Sequence, residues 1–521
     1  MLIRNSFRAH LAFDLKLAAA IGLVALADIL FFGKKWGSTL GLFAIAWVFV
    51  LAVAVPSIAK NRSALIALGC AAALGVPLVD DPSLLSMALF WVGVSSAVLF
   101  ARRDFRDASH HALRLFAQGM LGPFTPFRDL FHVARLPRPN LRSSFFSALA
   151  LLALPIAGGT VFIWLFAQAN PLMARMLPSF ALPTFGVAEF MHLIFWLAVF
   201  AVVWPTMRPS GTAMRFLPSS AGRILNLPGV SPASVFISLT FFNLIFAAEN
   251  LLDIVFLWSG APLPQGVTMA DYAHRGAYPL IVTALLAGAF VLITAQPDSE
   301  IGRRPSIRHL VVLWIAQNLV LVTSSIIRTV DYIDAYMLTR LRIAALIWMM
   351  LVAVGLVLIC WRMIARRSLT WLINSTVAAG AFVLALISVV DLGSLAADWN
   401  VRHAREAGGT GQPLDLGYLR TLGPSAMVSL AYLESRPLAG RFEDRVSFVR
   451  AQIVRDTIEN QETPYGWTWR NARRLDAVKA LLGSQPRAAA WSLFGREWDG
   501  TIKQPPEVPA LSAPLTPKVY Q

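Results

Sequence analysis

The sequence is poor in cysteine and in charge, and both shortages limit the kind of protein it encodes. Only two cysteines occur among 521 residues, Cys70 and Cys360, and both lie inside long apolar stretches, so no disulfide framework is indicated. Charged residues make up 14% of the chain, against about 25% in typical soluble domains. This composition argues against an ordinary water-soluble fold.

Motifs of metal, nucleotide and hydrolase chemistry are also missing. The sequence contains no His-Glu-x-x-His, no Cys-x-x-Cys, no glycine-rich phosphate loop followed by lysine and no Gly-x-Ser-x-Gly elbow. Glu189 and His192 form a single Glu-x-x-His pair, whereas a di-metal carboxylate site needs a second one. We therefore predict neither a metal nor a cofactor, and no catalytic motif indicates an enzyme.

The chain is rich in apolar blocks of about 20 residues, the length of a membrane-spanning helix. Hydrophobic residues make up 57% of the sequence. Strands of a membrane β-barrel would be shorter and would alternate in polarity. The predicted fold is an all-α, polytopic transmembrane helical bundle of about eleven spans. The blocks cover residues 17–33, 38–58, 63–79, 84–101, 144–168, 186–206, 233–258, 276–295, 309–328, 341–363 and 370–393.

Basic residues are concentrated on one side of this predicted bundle. They occur near the N-terminus and in every second connection, which predicts a cytoplasmic location for these segments. An odd number of spans then puts the C-terminal tail outside, in the periplasm. The exceptions are Lys34, Lys35, Arg340 and Arg342. The richest connection, 102–143, contains Arg102, Arg103, Arg106, Arg114, Arg128, Arg135, Arg138 and Arg142.

The formal net charge of +16 follows from this distribution. Cytoplasmic arginines hold the topology and meet anionic phospholipid headgroups. Nucleic-acid binding is not predicted, because no folded basic module or aromatic platform accompanies the charge. The lipid bilayer is the predicted partner, and no protein partner is indicated.

Three segments outside the spans differ in character. Residues 102–143 mix basic and apolar residues between prolines, which predicts short amphipathic helices on the inner membrane surface; a cytoplasmic linker with local helix is the alternative. Residues 394–504 carry apolar residues at helical spacing, which predicts a small helical extramembrane domain. Residues 505–521 contain five prolines and are predicted to be disordered. The spans form a four-span segment, 1–101, and a seven-span core, 144–393.

Acidic residues inside the seventh block mark the candidate site. Glu249 and Asp253 are four residues apart and share one helix face, with Asn250 beside them. A charged group at membrane depth costs about 2.5–3.5 kcal/mol on insertion scales and usually faces protein or water. The predicted topology places further polar groups in the same outer half of the membrane: Arg328, Asp331, Arg340, Arg342, Glu189 and His192.

This convergence has two interpretations. The residues could form a ligand or proton site in the outer half of the membrane. Alternatively, they could be structural ion pairs in which Asp253 is bound by Arg328, Arg340 or Arg342, with the remaining arginines reaching the outer headgroups.

Several short motifs also carry a resemblance. They are Asp271–Gly276, Ala335–Arg342, Asn400–Arg402, Asp415–Leu419 and Trp469–Asn471. In these motifs, and over roughly 145–480, the chain resembles a bacterial integral-membrane family, the domain-of-unknown-function family 4173, which is close to family 4153. The resemblance implies a multi-pass protein of the bacterial inner membrane. It implies no activity and no catalytic residues, and it leaves out the first four spans.

Two classes of function follow. One is a transporter or channel-like protein that uses the outer polar cluster as a substrate or proton site. The other is a non-catalytic anchor or scaffold whose spans present the helical domain for envelope assembly or sensing; a membrane enzyme acting on a lipid-linked substrate is a third. Transport predicts a water-accessible cavity at the cluster, whereas anchoring predicts a dry bundle and a shaped surface on the tail.

Overall fold

The described part of the chain is mainly helical. The computed structural model describes residues 2–103, 105–134, 186–209, 231–258 and 304–504 except 484–487, 491 and 494, with a few isolated positions between 155 and 290. No strand occurs within these ranges, and one isolated antiparallel bridge joins Arg496 to Ile502. The predicted blocks 144–168 and 276–295 and the end 505–521 lie outside the described residues.

The helices follow the predicted apolar blocks. The predicted third block is broken at Gly75, and Pro77 lies in the first turn of the helix that follows. A π-helical turn, Ile254–Trp258, extends the helix that ends at Asp253. In chain order the helices up to residue 389 are α1 Leu2–Phe31, α2 Thr39–Ala54, α3 Arg62–Leu74, α4 Val76–Asp80, α5 Leu84–Phe100, α6 Ala108–Leu121, α7 Thr125–Ala134, α8 Val187–Met207, α9 Pro232–Asp253, α10 Pro305–Tyr336, α11 Arg340–Ile364 and α12 Leu369–Val389.

Within the described ranges, six helical stretches are long and apolar enough to cross a membrane, which identifies the chain as membrane-embedded. They are Arg62–Asp80, which joins α3 and α4, and the helices α8, α9, α10, α11 and α12. Helices α2 and α5 are apolar but shorter. In α11 only 11% of the most apolar stretch is buried inside the protein, so most of its hydrophobic surface needs lipid around it rather than water.

Two apolar clusters hold the spans together. Helices α1, α2, α3, α5 and α8 bury one cluster that includes Leu23, Trp47 and Trp204. Helices α9, α10 and α11 bury a second cluster around Leu239, Trp314 and Met349. Each helix thus has one face against its neighbours and the other free for lipid.

The chain beyond α12 forms a third cluster, which we call the C-terminal helical segment, residues 392–503. Its helices pack around buried residues such as Leu419, Met427 and Val449. Side chains of Asp391, Asp415 and Thr468 accept the N–H groups that begin three of these helices. The helices are α13 Leu392–His403, α14 Leu416–Leu422, α15 Met427–Glu434, α16 Gly440–Gln461 and α17 Trp469–Leu482.

The C-terminal helical segment contacts one end of the bundle, which we call the tail side. The Ser38 N–H donates to the Trp467 carbonyl at 2.8 Å. Asn400 exchanges two hydrogen bonds with the backbone of Leu338, at 2.7 and 2.9 Å. Arg470 binds Asp80 at 2.6 Å. These contacts join the connections α1–α2, α4–α5 and α10–α11, alternate connections in the predicted topology.

The opposite end of the bundle carries most of the arginines. Asn61 donates to the Phe100 carbonyl at 3.1 Å, and Arg102 donates to the Pro209 carbonyl at 3.3 Å. The Ala108 N–H that begins α6 donates to Asn374 of α12 at 2.7 Å. The connections α2–α3 and α5–α6, the end of α8 and the start of α12 therefore lie on this arginine-rich side.

Contacts with the C-terminal helical segment explain three of the four basic residues that depart from the arginine pattern. Lys34 lies 4.0 Å from the ring centre of Tyr465, and Lys35 donates to Asn460 at 2.8 Å. Arg340 donates to Ser425 at 3.2 Å. These cations bind protein rather than lipid headgroups, so their position says little about membrane orientation.

An ion-pair clamp secures the C-terminal helical segment through α17. Arg470 binds Asp80 and also donates to the Val389 carbonyl at 2.7 Å, so it ties α4 to the end of α12. Arg474 binds Asp391, which also accepts from Ser425 at 3.0 Å. Burial opposes the charge on Asp391, but Arg474 and the hydrogen bonds outweigh it and lower the pKa of that carboxyl.

We expect Arg470→Gln to loosen the C-terminal helical segment by about 1–3 kcal/mol, because the carboxylate of Asp80 loses its partly buried partner. Limited proteolysis of the full chain in detergent should then cut residues 461–469 faster. Arg473→Gln is the matched control: Arg473 lies 3.3 Å from Asp80, but its side chain is 65% exposed, so proteolysis should hardly change. Equal effects of the two variants would contradict the clamp.

Candidate functional site

The central feature of the membrane region is a buried ion pair between α9 and α10. Asp253 accepts from the Arg328 guanidinium, and the two residues are 3% and 7% exposed. Nearby hydroxyls of Ser325 and Thr329 donate to their own helix backbone at 2.9 and 2.8 Å. Arg328 is one of the three partners that the sequence predicted for Asp253, so the structure agrees with that pairing.

Helices α9 and α10 run parallel in a constant register. Asn243 donates to the Leu310 carbonyl at 3.1 Å, and Asn250 donates to the Gln317 carbonyl at 3.3 Å. Both bonds join residues 67 positions apart. A constant offset requires the two helices to point the same way along their contact.

Several buried side-chain oxygens along α9 and α10 have no hydrogen-bond partner among the described residues, and we call the contact that carries them the polar seam. The side-chain nitrogens of Asn243, Asn250 and Asn318 each donate to a backbone carbonyl, so the orientation of each amide is set. Their oxygens are buried and make no hydrogen bond to any described residue. The buried acceptors without a described partner are Asn243 Oδ1, Asn250 Oδ1, Asp253 Oδ2, Gln317 Oε1 and Asn318 Oδ1.

Glu249 lies one turn before Asp253, next to the polar seam. Its side chain is half-buried, and it has no hydrogen bond or ion pair with the described residues. Its neighbour Asn250 is fully buried. The sequence therefore identified the polar face of α9. It did not identify the residues of the polar seam on α10, which are Gln317 and Asn318. Two adjacent amides within an otherwise apolar block were the signal for it.

His192 belongs to a different contact, whereas Glu189 lies exposed in the first turn of α8. His192 bonds to Asp28 of α1, and its ring stacks on Phe32 with 3.7 Å between the ring centres. Trp196 also donates to Asp28, at 3.0 Å. No group of three potential metal ligands is found among the described residues. Asp28 was missed in the sequence, although it is an isolated acid in an apolar block.

Arg340 and Arg342 face the C-terminal helical segment or the chain end of α10 rather than Asp253. The Arg340 N–H donates to the Tyr418 hydroxyl at 2.9 Å. Arg342 donates to the Tyr336 carbonyl at 2.6 Å. Asp331 is half-buried on α10. The predicted residues thus fall into separate groups rather than a single cluster, because each helix buries a different face.

A cavity of about 690 Å³ lies where α10 and α11 meet the C-terminal helical segment. Met337 in its wall has a φ of 70°, a left-handed value that is strained for a residue with a side chain. The two hydrogen bonds between the Asn400 side chain and the Leu338 backbone hold this turn. We call this space the junction cavity; it is lined by Ala335, Tyr336, Met337, Thr339, Arg342, Asn400, Gln412, Pro413, Asp415 and Tyr418.

Apolar helices, a buried ion pair and an attached helical segment define a helical membrane protein. The chain belongs to the family described as a domain of unknown function (DUF4153), whose model matches residues 17–433. Family 4153 is close to family 4173, which the short motifs resemble. The match is to family 4153 and not to family 4173. The match includes the first four apolar blocks, which the resemblance left out. None of the curated proteins and none of the solved structures matches the chain.

We expect Asp253→Ala to destabilise the protein by about 3–5 kcal/mol, because it leaves the Arg328 guanidinium buried without its carboxylate. Thermal unfolding in detergent and expression yield measure the effect. The double variant Asp253→Ala, Arg328→Ala should lose less than the sum of the two single variants. Asp334→Ala, an exposed acid on the same helix as Arg328, is the control and should change little. Additive losses would show that the pair is not coupled.

Proposed function

We propose that this protein moves protons or small cations across the membrane along the polar seam between α9 and α10. The observation that supports the proposal is the set of five buried oxygen acceptors without described partners. An unsatisfied buried polar group costs about 1–3 kcal/mol. Water or a hydronium ion can donate hydrogen bonds to these five oxygens, and a small cation can be coordinated by them.

The chemistry of the seam fits transport better than simple helix packing. Most buried polar side-chain atoms in folded proteins have a hydrogen-bond partner, and amides between membrane helices commonly bond across the contact. Here the side-chain nitrogens of Asn243, Asn250 and Asn318 are bonded, whereas their oxygens have no partner among the residues that the structure describes. Asn243 and Asp253 are ten residues apart, which corresponds to about 15 Å of helix or half of the roughly 30 Å hydrocarbon layer.

The acidic residues divide into two roles in this proposal. Glu249 is half-buried beside the seam and has no described partner, so it is the group that takes up and releases a proton. Asp253 is held by Arg328 at the end nearer the C-terminal helical segment. The positive charge of Arg328 repels other cations at this end of the seam. The ion pair between Asp253 and Arg328 therefore limits the passage of protons or cations until the two side chains separate.

A scaffold role is the second candidate, and a specific observation favours it. The C-terminal helical segment binds four separate parts of the bundle, through Ser38, Asp80, Leu338 and Asp391. Such attachment holds a helical domain in a fixed orientation at the membrane surface. In this version the spans anchor the domain for envelope assembly or sensing, and the seam is structural.

The proposed topology has about eleven spans in the bacterial inner membrane, with a cytoplasmic N-terminus and a periplasmic C-terminal domain. The parallel direction of α9 and α10 supports it, because the chain between them must return to the side from which it started. The arginine-rich side then faces the cytoplasm. There α6 leaves Phe116 and Met120 exposed for the membrane surface, beside arginines that suit anionic phospholipid headgroups.

We expect the purified protein in liposomes to dissipate an imposed proton or sodium gradient faster than protein-free liposomes. Asn250→Leu and Glu249→Gln should each reduce this flux at least tenfold, because the seam loses an acceptor or its titratable group. The control is Thr240→Val on the same helix, whose hydroxyl only bonds to its own backbone at 2.9 Å. Wild-type liposomes no leakier than empty ones would reject transport and leave the scaffold role.

We expect a reporter that is active only in the periplasm to give a signal when fused after residue 450 and none after residue 125. The reason is the arginine-rich connection around residue 125, which favours retention in the cytoplasm. A reporter active only in the cytoplasm should give the opposite pattern. If both patterns are reversed, the orientation is inverted.

A further inference from the structure

The junction cavity lies where two candidate spans end. Its walls include the last residues of α10 and the first residues of α11, which are two of the candidate spans. Beside it Leu341 is 83% exposed, and the lining residue Tyr336 is 47% exposed. A tyrosine and a leucine exposed where two spans end are typical of the zone of lipid headgroups. The cavity is therefore reachable from the bilayer.

Arg342 supplies a fixed cation in this cavity. Its Nη1 atom donates to the carbonyls of Tyr336 and Met337, and its guanidinium lies 4.3 Å from the ring centre of Tyr332. These contacts orient the side chain. They occupy one of its three nitrogens, and among the described residues no other acceptor binds the guanidinium. A planar guanidinium with free N–H groups is suited to bind a phosphate.

Asp415 supplies an anion in the same cavity. One carboxylate oxygen accepts the Tyr418 N–H at 2.9 Å, which orients the side chain. Its other oxygen makes no hydrogen bond with the described residues. The carboxylate is exposed, and Gln412 and Tyr418 lie with it in the lining. A carboxylate of this kind accepts hydrogen bonds from a primary ammonium group.

We propose that the junction cavity binds a zwitterionic phosphoethanolamine-type headgroup, with its phosphate on Arg342 and its primary ammonium on Asp415. The two opposite charges in one cavity match the two opposite charges of that headgroup. The volume of about 690 Å³ also accommodates the glycerol part of a phospholipid. The position at the ends of two spans identifies the source as a lipid of the surrounding leaflet.

Native mass spectrometry of the full chain in detergent tests the proposal. Phosphatidylethanolamine should bind about tenfold more tightly than phosphatidylglycerol or phosphatidylcholine, since the latter two lack a primary ammonium. Asp415→Asn should remove this preference and leave phosphatidylglycerol binding unchanged; asparagine still caps α14, so the fold is retained. Arg342→Gln should weaken the binding of phosphatidylethanolamine and of phosphatidylglycerol about tenfold. Arg342→Lys keeps the positive charge and should bind both of these lipids more tightly than Arg342→Gln does.

Two exposed residues outside the cavity provide matched controls. Asp398 and Arg402 form a surface ion pair on α13, and Asp398→Asn and Arg402→Gln should leave lipid binding unchanged. Soluble glycerophosphoethanolamine, added as a competitor of bound phosphatidylethanolamine, distinguishes the source of the headgroup. If it displaces the lipid only weakly, the natural ligand is a lipid; if it binds as tightly as the lipid, the natural ligand is the free headgroup compound. The proposal is overturned if wild-type protein shows no preference for phosphatidylethanolamine, or if the Asp415 and Arg342 variants behave like the controls.

Discussion

The hydrocarbon layer offers no hydrogen-bond partner, so each polar group in a membrane span needs a partner within the protein or from water in a cavity. Asp253 and Arg328 satisfy this need by binding each other between α9 and α10. Asp28 satisfies it through His192 and Trp196, between α1 and α8. The polar seam departs from the rule, because its oxygens have no partner among the described residues. That departure is the observation on which the proposed role of the seam rests.

At the tail side of the bundle, basic residues bind the C-terminal helical segment, so their distribution does not indicate membrane orientation. Arginines and lysines at span ends usually meet lipid headgroups, and their distribution indicates orientation. Here Lys35 and Arg340 bind the attached segment instead. Asp80 and Asp391 are bound by Arg470 and Arg474. The same attachment encloses the junction cavity, so the segment supplies both the clamp and half of the cavity wall.

Local patterns predicted the helices well and their contacts poorly. The apolar blocks correspond to helices wherever the structure describes them, although the third block is divided at Gly75. Helical spacing beyond residue 394 also corresponds to helices. The common cluster expected for His192 and Asp253 is absent, because equal depth in a membrane does not bring two side chains together. Which neighbour each helix packs against decides that, and the sequence pattern of a lipid-facing helix is nearly the same on all sides.

The sequence by itself determined a helical membrane protein with acids in its seventh apolar block and with an unequal distribution of arginine. These properties depend on hydrophobicity and helix periodicity, which act locally along the chain. Only the tertiary structure decided that Asp253 binds Arg328, that α9 and α10 run parallel, and that Arg342 and Asp415 share one cavity. Such contacts join residues about 70 positions apart, and their geometry depends on the packing of whole helices rather than on any local pattern.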